Sequence, residues 1–599
     1  MELSRISVSN FRNFSALDVE LNGNVVVVGE NRVGKSNLLY ALRLLLDPTL
    51  PDSARQLTLS DFWDGLNVPW ADKRITIAVE IAEFEGDLDV LALLTDYRLN
   101  DDPHRARLVY EFRPRADLDA QPTSEEDFEF ICYGGEDEAN RFGHDLRRRL
   151  TLDVLPALRD AEGDLAVWRR SPLRPLIEKA FSAIAGDDIQ EIADAVQTAT
   201  EKMGEFEDVK ALEEDIGTLF TEMSGSRQDI KPRLGFGPTD PARLYRTIRL
   251  LIDEGARSIA DASLGSANLV FLTLKMLELR QMLAENKRDH TFLCIEEPEA
   301  HLHPHLQRSV YRHLFSSVRR EGAEEQPLSV FLTTHSPHIA SVAPIRSLLL
   351  LKDVGDAGTV GASTAAAPLD EDEAADLARY LDVTRAEILF ARGVVLVEGD
   401  AERFLIPAFA KEMGLSLDHL GITVCSVAGT NFKPYAKFLT ALRIPFSILT
   451  DWDPRDNGRA LGFNRAANLV RAISRVPTGE VPDAVKDRLD EADDEHLREI
   501  AAEFGIFMDD ETLEVDLFRD NDLRGIVIET LREGTFGTAS RTLIDRWESD
   551  PEALVVARFL SMVESVGKGR FAQRLVSRLE GQAPPVFVRD AITFVRDRV

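Results

Sequence analysis

Cysteine is scarce: Cys132, Cys294 and Cys425 are the only three in 599 residues, widely separated and odd in number. They support neither a disulfide framework nor a zinc site and fit a reducing compartment, so a cytoplasmic protein is expected. No apolar run approaches the length needed to cross a bilayer, and the opening MELSRISVSNF lacks the charged-then-apolar layout of a signal peptide. A membrane partner is therefore not expected. Basic residues are the minority charge, 70 Lys and Arg against 103 Asp and Glu, for a net −33. That balance excludes a surface that coats DNA throughout. It still permits a local basic groove, because phosphate contact depends on where the cations sit. Internal repeats are lacking too. What remains is ordinary globular composition, 44% hydrophobic and 29% charged, in a chain too long for one core. Two or three domains are expected.

The chain begins with alternating apolar and polar residues, then an apolar run over 24–28 that ends in Gly29 and leads into NLLYALRLLL. This predicts a buried strand, a loop and a helix. Strands are also predicted at 75–83 and 107–112. From about 175 to 225 the chain has no proline after Pro175 and repeats apolar residues at helical spacing. A helical insertion follows, either a pairing surface between subunits or a solvated hairpin. The small-residue stretch DVGDAGTVGASTAAAP reads as a linker or exposed loop. From Arg392 onward, GVVLVEG, GITVCSVAG and FSILTDWD alternate with helices, the rhythm of a second parallel α/β sheet. The expected fold class is α/β.

Residues 29–36, GENRVGKS, match a phosphate loop between a strand and a helix. Glycines at Gly29 and Gly34 let backbone N–H groups close around phosphates, with Asn31 in the loop and Asn37 just after it. Lys35 is expected to reach the terminal phosphates and the Ser36 hydroxyl to reach Mg²⁺. The short strand FLCI ends in Glu296 and Glu297, placed for water-mediated Mg²⁺ contact and for orienting the attacking water, respectively. VFLTTHSP brings His335 to the end of another strand, within reach of a γ-phosphate. Ser263, Gly265 and Ser266 start an apolar helix and form a second candidate anion site. In this order the motifs resemble the ABC ATPase layout of the SMC, RecF and Rad50-like branch. The opening SNFRNF fits that branch, which implies that Arg12 approaches the nucleotide. The same resemblance implies that the small-residue cap serves the partner subunit's γ-phosphate, so hydrolysis requires a homodimer. Glu296 departs from the usual Asp.

LVEGDAE ends a buried strand and offers Glu398, Asp400 and Glu402; a helix starting after Gly399 lets Glu398 and Glu402 converge on one cation. Fifty residues on, FSILTDWD ends a strand with Asp451 and Asp453, which share a side because strand periodicity is two. Oxygen ligands from neighbouring strand ends suit Mg²⁺ or Mn²⁺. The Glu-Gly and Asp-x-Asp arrangement resembles a TOPRIM domain. Placed after an ABC ATPase, it resembles the OLD (overcoming lysogenization defect) endonuclease family across essentially the whole chain. The resemblance is nearest to the OLD class that includes the nuclease component of the Gabija antiphage system.

That resemblance implies an ATPase at 1–174 and 232–368, a dimerising helical insertion at 175–231, a linker at 369–391 and a nuclease at 392–599. It implies Thr512 and Glu514, which alternate on an expected strand, as ligands of a second metal, and Lys568 as the catalytic lysine. The cofactors implied are ATP with one ion and two Mg²⁺ or Mn²⁺ ions at the nuclease site. DNA is the implied substrate, antiphage defence the implied role, and a helicase partner is left open. The basic stretches at 147–150, 168–174 and 243–249 are candidate DNA contacts, none of them assigned. A different class stays open: an SMC/RecF-like DNA-binding ATPase whose TOPRIM part only docks. A topoisomerase is disfavoured for want of a tyrosine nucleophile in a suitable domain.

Overall fold

The computed structural model describes the chain apart from residues 67–69, 71, 119, 158–160, 225–233, 235–245, 247, 301, 319–326 and 456–457. The boundary expected near 231 and most of the Arg-rich stretch 243–249 therefore lie outside the described residues. Two compact units divide it: Met1–Ala157 with Asp289–Glu299 and His303–Val599, and Leu158–Arg288 with Ala300–Leu302. Its strands in chain order are β1 (Glu2–Phe11), β2 (Phe14–Glu20), β3 (Val25–Gly29), β4 (Ile75–Ala82), β5 (Ala106–Pro114), β6 (Phe128–Gly134), β7 (Leu150–Leu155), β8 (Leu251–Ile252), β9 (Arg257–Ser258), β10 (His290–Glu296), β11 (Leu328–Thr334), β12 (Leu348–Asp353), β13 (Thr359–Ser363), β14 (Gly393–Val397), β15 (Ile422–Ser426), β16 (Phe446–Thr450) and β17 (Ile506–Met508).

Three sheets shape the first unit. An antiparallel sheet runs β2-β1-β4-β5-β6. A second runs β13-β12-β3-β11-β10-β7 and is parallel apart from β13. The helix Lys35–Leu46 contacts strands of both sheets and buries Leu38, Leu39, Leu42 and Leu45 against them. β3 is central, so both its faces are covered and Val25–Val28 is an unbroken buried apolar run. The third sheet, β15-β14-β16-β17, is wholly parallel, as expected from Arg392 onward. The helix Val586–Arg596 packs across β14, β16 and β17.

The second unit holds the helices Leu173–Ser182, Gly186–Glu201, Glu207–Ser224 and Leu264–Ala284, with the short β8–β9 ladder. The helices and turn spanning 186–224 leave Ile192, Phe206, Leu212, Leu219 and Met223 exposed.

Three sequence readings need correction. The stretch 353–368 is not a linker: Thr359–Ser363 pairs antiparallel with β12, and Thr359 is buried with its hydroxyl on the Val33 carbonyl. The expected linker 369–391 carries the helix Glu371–Tyr380 and a 3-10 turn, Arg385–Leu389. Glu371 is preceded by Asp370, whose side chain caps Glu373 N–H, and that signal outweighs the small-residue composition nearby. Residues 513–519 form a helix, with Thr512 at its N-cap position, where a strand was expected. The acidic first turn, Glu514 and Asp516, suits a helix N-terminus, and seven residues are too few for apolar alternation to identify a strand.

Candidate functional site

Lys35 opens the first helix, and Gly34 before it has φ 91°. A Cβ there would lie 2.0 Å from the Asn13 amide, so only glycine fits. Lys35 Nζ donates to the carbonyls of Gly29 (3.1 Å) and Glu30 (2.9 Å). Burial lowers its pKa to about 8, against the pull of Glu297 and Glu299. The Ser36 hydroxyl and the Ala157 N–H donate to Glu296, whose carboxyl burial nevertheless raises. The longer glutamate thus reaches the phosphate loop.

Glu297 follows β10 at φ 40°, and its carboxylate lies 3.5 Å from His335 Nε2. Burial, then Lys35, lowers the His335 pKa. Glu299, not singled out from sequence, accepts from His335 N–H (2.6 Å) and the Thr334 hydroxyl (2.9 Å) and so fixes the histidine turn. Arg12, with φ 50°, donates to Asn37 (2.9 Å) and Asp61 (2.9 Å) and stacks on Tyr40. Asn31 lies in the loop between Gly29 and Gly34. In the second unit, Ser263 caps the helix Leu264–Ala284 by accepting from Ser266 N–H, with Gly265 in its first turn.

At the third sheet, Glu398 follows β14 and Glu402 lies in the first turn of the helix Asp400–Glu412, as expected. Glu402 accepts from Gly399 N–H (3.1 Å). Asp451 and Asp453 stand beyond β16, which ends at Thr450, and Asp453 has φ 52°. Strand alternation therefore does not place them, contrary to the sequence reading; a loop does.

Glu398, Glu402, Asp451 and Glu514 nonetheless share one electrostatic neighbourhood. Burial raises the Glu402 carboxyl, and Glu514 and Glu398 push it further. Burial also raises Asp451, helped by Glu398, Glu402 and Glu514. Lys568 Nζ lies 3.1 Å from Glu514. Burial opposes its charge, but Glu514, with Asp451 and Glu402, outweighs that and raises its pKa. Gly569 lets the Lys568–Val576 helix come close: a Cβ there would stand 3.3 Å from that of Asp400.

Among the described residues no three His, Cys, Asp or Glu side chains form a ready-made metal cage. Their oxygens are held instead by Arg465, Lys568 and a buried acid, Asp509. The donor set still fits a hard divalent ion, since all the candidate ligands are oxygens. Thr512 Oγ1 supports the same fit, being buried with no hydrogen-bond partner among the described residues.

Asp509 and Arg465 were missed. Asp509 follows the short apolar β17, a strand-end signal like that at Glu398; Arg465 sits mid-helix and carries no local signal. Asp509 hydrogen-bonds Asp451, and burial, then Asp451, pushes it well above the ordinary carboxylate range. Folding then retains a proton that the unfolded chain gives up. The resulting stability is full below the ordinary Asp pKa and is lost as pH rises toward the folded value. Asp509→Asn, which donates to Asp451 without a proton to lose, is expected to raise the metal-free melting temperature at pH 8 by about 5 °C. The gain should shrink toward pH 5 in a thermal-shift series; a pH-independent gap would remove the buried proton.

Arg147, in a candidate DNA-contacting stretch, is buried and donates to the Leu45 carbonyl and Cys132. Arg149 pairs with Asp289. Between the phosphate loop and the third sheet, Glu30 and Arg392 form a two-armed ion pair at 2.7 and 3.0 Å.

Family models match the part of the chain that carries the phosphate loop and the part that carries the third sheet. A family model described as "Overcoming lysogenization defect protein-like, TOPRIM domain" matches residues 389–453. Another, "AAA domain, putative AbiEii toxin, Type IV TA system", matches 25–341, more than half of the chain. The OLD nuclease of Thermus scotoductus is 25% identical over 75% of this chain and 82% of its own length. Endonuclease GajA of Bacillus cereus is 23% identical over 89% and 91%. Among solved structures, the C-terminal region of the Burkholderia pseudomallei OLD protein is 39% identical. That match covers 35% of this chain and 98% of the other, with a TM-score of 0.30. No helix among the described residues is long and apolar enough to cross a membrane.

Proposed function

Because the chain belongs to the OLD family of nucleases, with an AAA-type ATPase and an OLD-like TOPRIM domain, we propose that it is an ATP-binding, divalent-metal-dependent DNA endonuclease acting in antiphage defence. The observation that carries this reading is the shared neighbourhood of Glu398, Glu402, Asp451 and Glu514 around Lys568. A clamp with a merely docking TOPRIM part has no need of Glu402, Glu514 and Lys568 together. Glu398, Glu402, Asp451 and Asp453 would hold one ion, and Thr512 with Glu514 a second. When bound, such ions lower the pKa of a coordinated water and stabilise the departing oxygen. Lys568 neutralises charge on the scissile phosphate.

At the other site Lys35, the loop amides and Arg12 bind nucleotide, Ser36 and Glu296 hold its Mg²⁺, Glu297 orients water, and His335 faces the γ-phosphate. Ser263, Gly265 and Ser266 serve the nucleotide of a partner subunit. The exposed Ile192, Phe206, Leu212, Leu219 and Met223 support a homodimer through the helical insertion.

The test is supercoiled plasmid incubated with purified protein and Mg²⁺ or Mn²⁺, with and without ATP. Nicked or linear product is expected only with metal, and EDTA should prevent it. No product with any divalent ion, or product that survives EDTA, overturns the reading.

A further inference from the structure

We propose that Arg465 is a positioning residue of the nuclease site, selecting which oxygens of Glu398 and Asp453 face the metal ions; this rests on the metal-site reading above. Arg465 projects from the helix Leu461–Arg475 and is only 15% exposed. Its Nη1 donates to Glu398 Oε1 (3.1 Å), Thr450 Oγ1 (2.6 Å) and the Asp451 carbonyl (2.9 Å). Its Nη2 donates to Asp453 Oδ2 (2.8 Å). Glu398 Oε1 also accepts from the Thr450 hydroxyl (2.6 Å) and Asp451 N–H (3.1 Å). Three donors fill the lone pairs of one carboxylate oxygen, which leaves Oε2 as the one to offer a cation. At Asp453 the other arm donates one hydrogen bond, to Oδ2, and so biases that carboxylate's orientation.

An arginine among carboxylates is also what a stand-in cation looks like, seated until a metal displaces it. The partners argue against that. Two of the four acceptors, the Thr450 hydroxyl and the Asp451 carbonyl, are neutral groups at the end of β16, and they stay whether or not an ion is present. They make a permanent seat. The planar fork spans two carboxylates that leave separate elements, with donors held in fixed directions that a lysine ammonium lacks.

The two roles predict opposite signs. Losing a stand-in removes a competing positive charge and tightens metal binding. Losing a positioning residue frees Glu398 and Asp453 to turn and repel, and metal binding weakens. Residues that orient metal ligands typically account for about 10–100-fold in affinity.

Mn²⁺ titration calorimetry of the full-length protein, without nucleotide or DNA, separates them. Wild type, Arg465→Gln, Arg465→Lys and Glu398→Ala are compared, with thermal melts alongside. Mn²⁺ binding about tenfold or more weaker in both Arg465 variants, with melting temperatures near wild type, is expected. Unchanged or tighter binding in either variant overturns the proposal, and so does failure of both to fold, which assigns Arg465 to the core instead. Glu398→Ala keeps the two readings apart. If it binds Mn²⁺ as wild type does, the metal-site reading fails. If it loses binding while both Arg465 variants match wild type, only the present inference fails.

Discussion

Glu398→Ala is expected to lower plasmid cleavage on the order of a thousandfold, equivalent to about 4 kcal/mol of transition-state stabilisation. Glu398 has two jobs that the substitution removes together. Its Oε1 ties down the Thr450 hydroxyl, Asp451 N–H and Arg465, which orders the loop carrying Asp451 and Asp453. Its other oxygen is the one left to face a cation. Glu398→Gln separates the two, because an amide oxygen still accepts from Thr450 and Asp451 N–H while the negative charge is gone. Cleavage by Glu398→Gln should be nearly as low as by Glu398→Ala, with a melting temperature closer to wild type. Cleavage at wild-type rates in both would remove Glu398 from the chemistry.

The second large effect concerns the nucleotide. Glu297→Gln is expected to lower ATP hydrolysis about 100- to 10,000-fold, the usual contribution of a positioned base, while ATP binding persists. Glu297 stands just past the buried end of β10, with its N–H on the Thr333 carbonyl at 3.0 Å. Its carboxylate faces His335, and Lys35 responds to its charge. The proposed binding groups, Lys35 and Ser36, keep their side chains in this variant, so affinity and turnover should part. Phosphate release measured against nucleotide binding, across a range of protein concentrations to cover dimer formation, checks this. Wild-type hydrolysis would move the base elsewhere.

How much of this was legible in the sequence depended on how locally each feature is specified. β3 and the phosphate loop could be read because a buried central strand is apolar throughout and the loop that follows needs glycine at Gly34. Glu398 could be read for the same reason, as a carboxylate at the end of Val394–Val397. Asp451 and Asp453 were placed together for the wrong cause: a loop and Arg465 set them, not a pleat. Thr512 and Glu514 came from family resemblance, and their helix was misread because first-turn acids and strand alternation coincide over so few residues. The edge strand Thr359–Ser363 was read as a linker because its residues are small, yet Gly361 is small for a packing reason: a Cβ there would lie 2.4 Å from the Leu17 side chain. Arg465 and Asp509 acquire meaning only from partners far along the chain. A spacing rule has no access to those.

The position of β3 also bears on how the protein is made. Its neighbours in the sheet are β11 and β12, and the Asn24 side chain at its entrance accepts from Val330 N–H, 306 positions later. The 306 positions between Asn24 and Val330 must leave the ribosome before the phosphate loop has a sheet to hang from, and such distant pairing is slow to nucleate. The third sheet follows the same logic, since the helix Val586–Arg596 that covers it is synthesised after every carboxylate of the nuclease site. Neither candidate site can therefore be assembled on the nascent chain until the distant elements that pack its sheet have been synthesised.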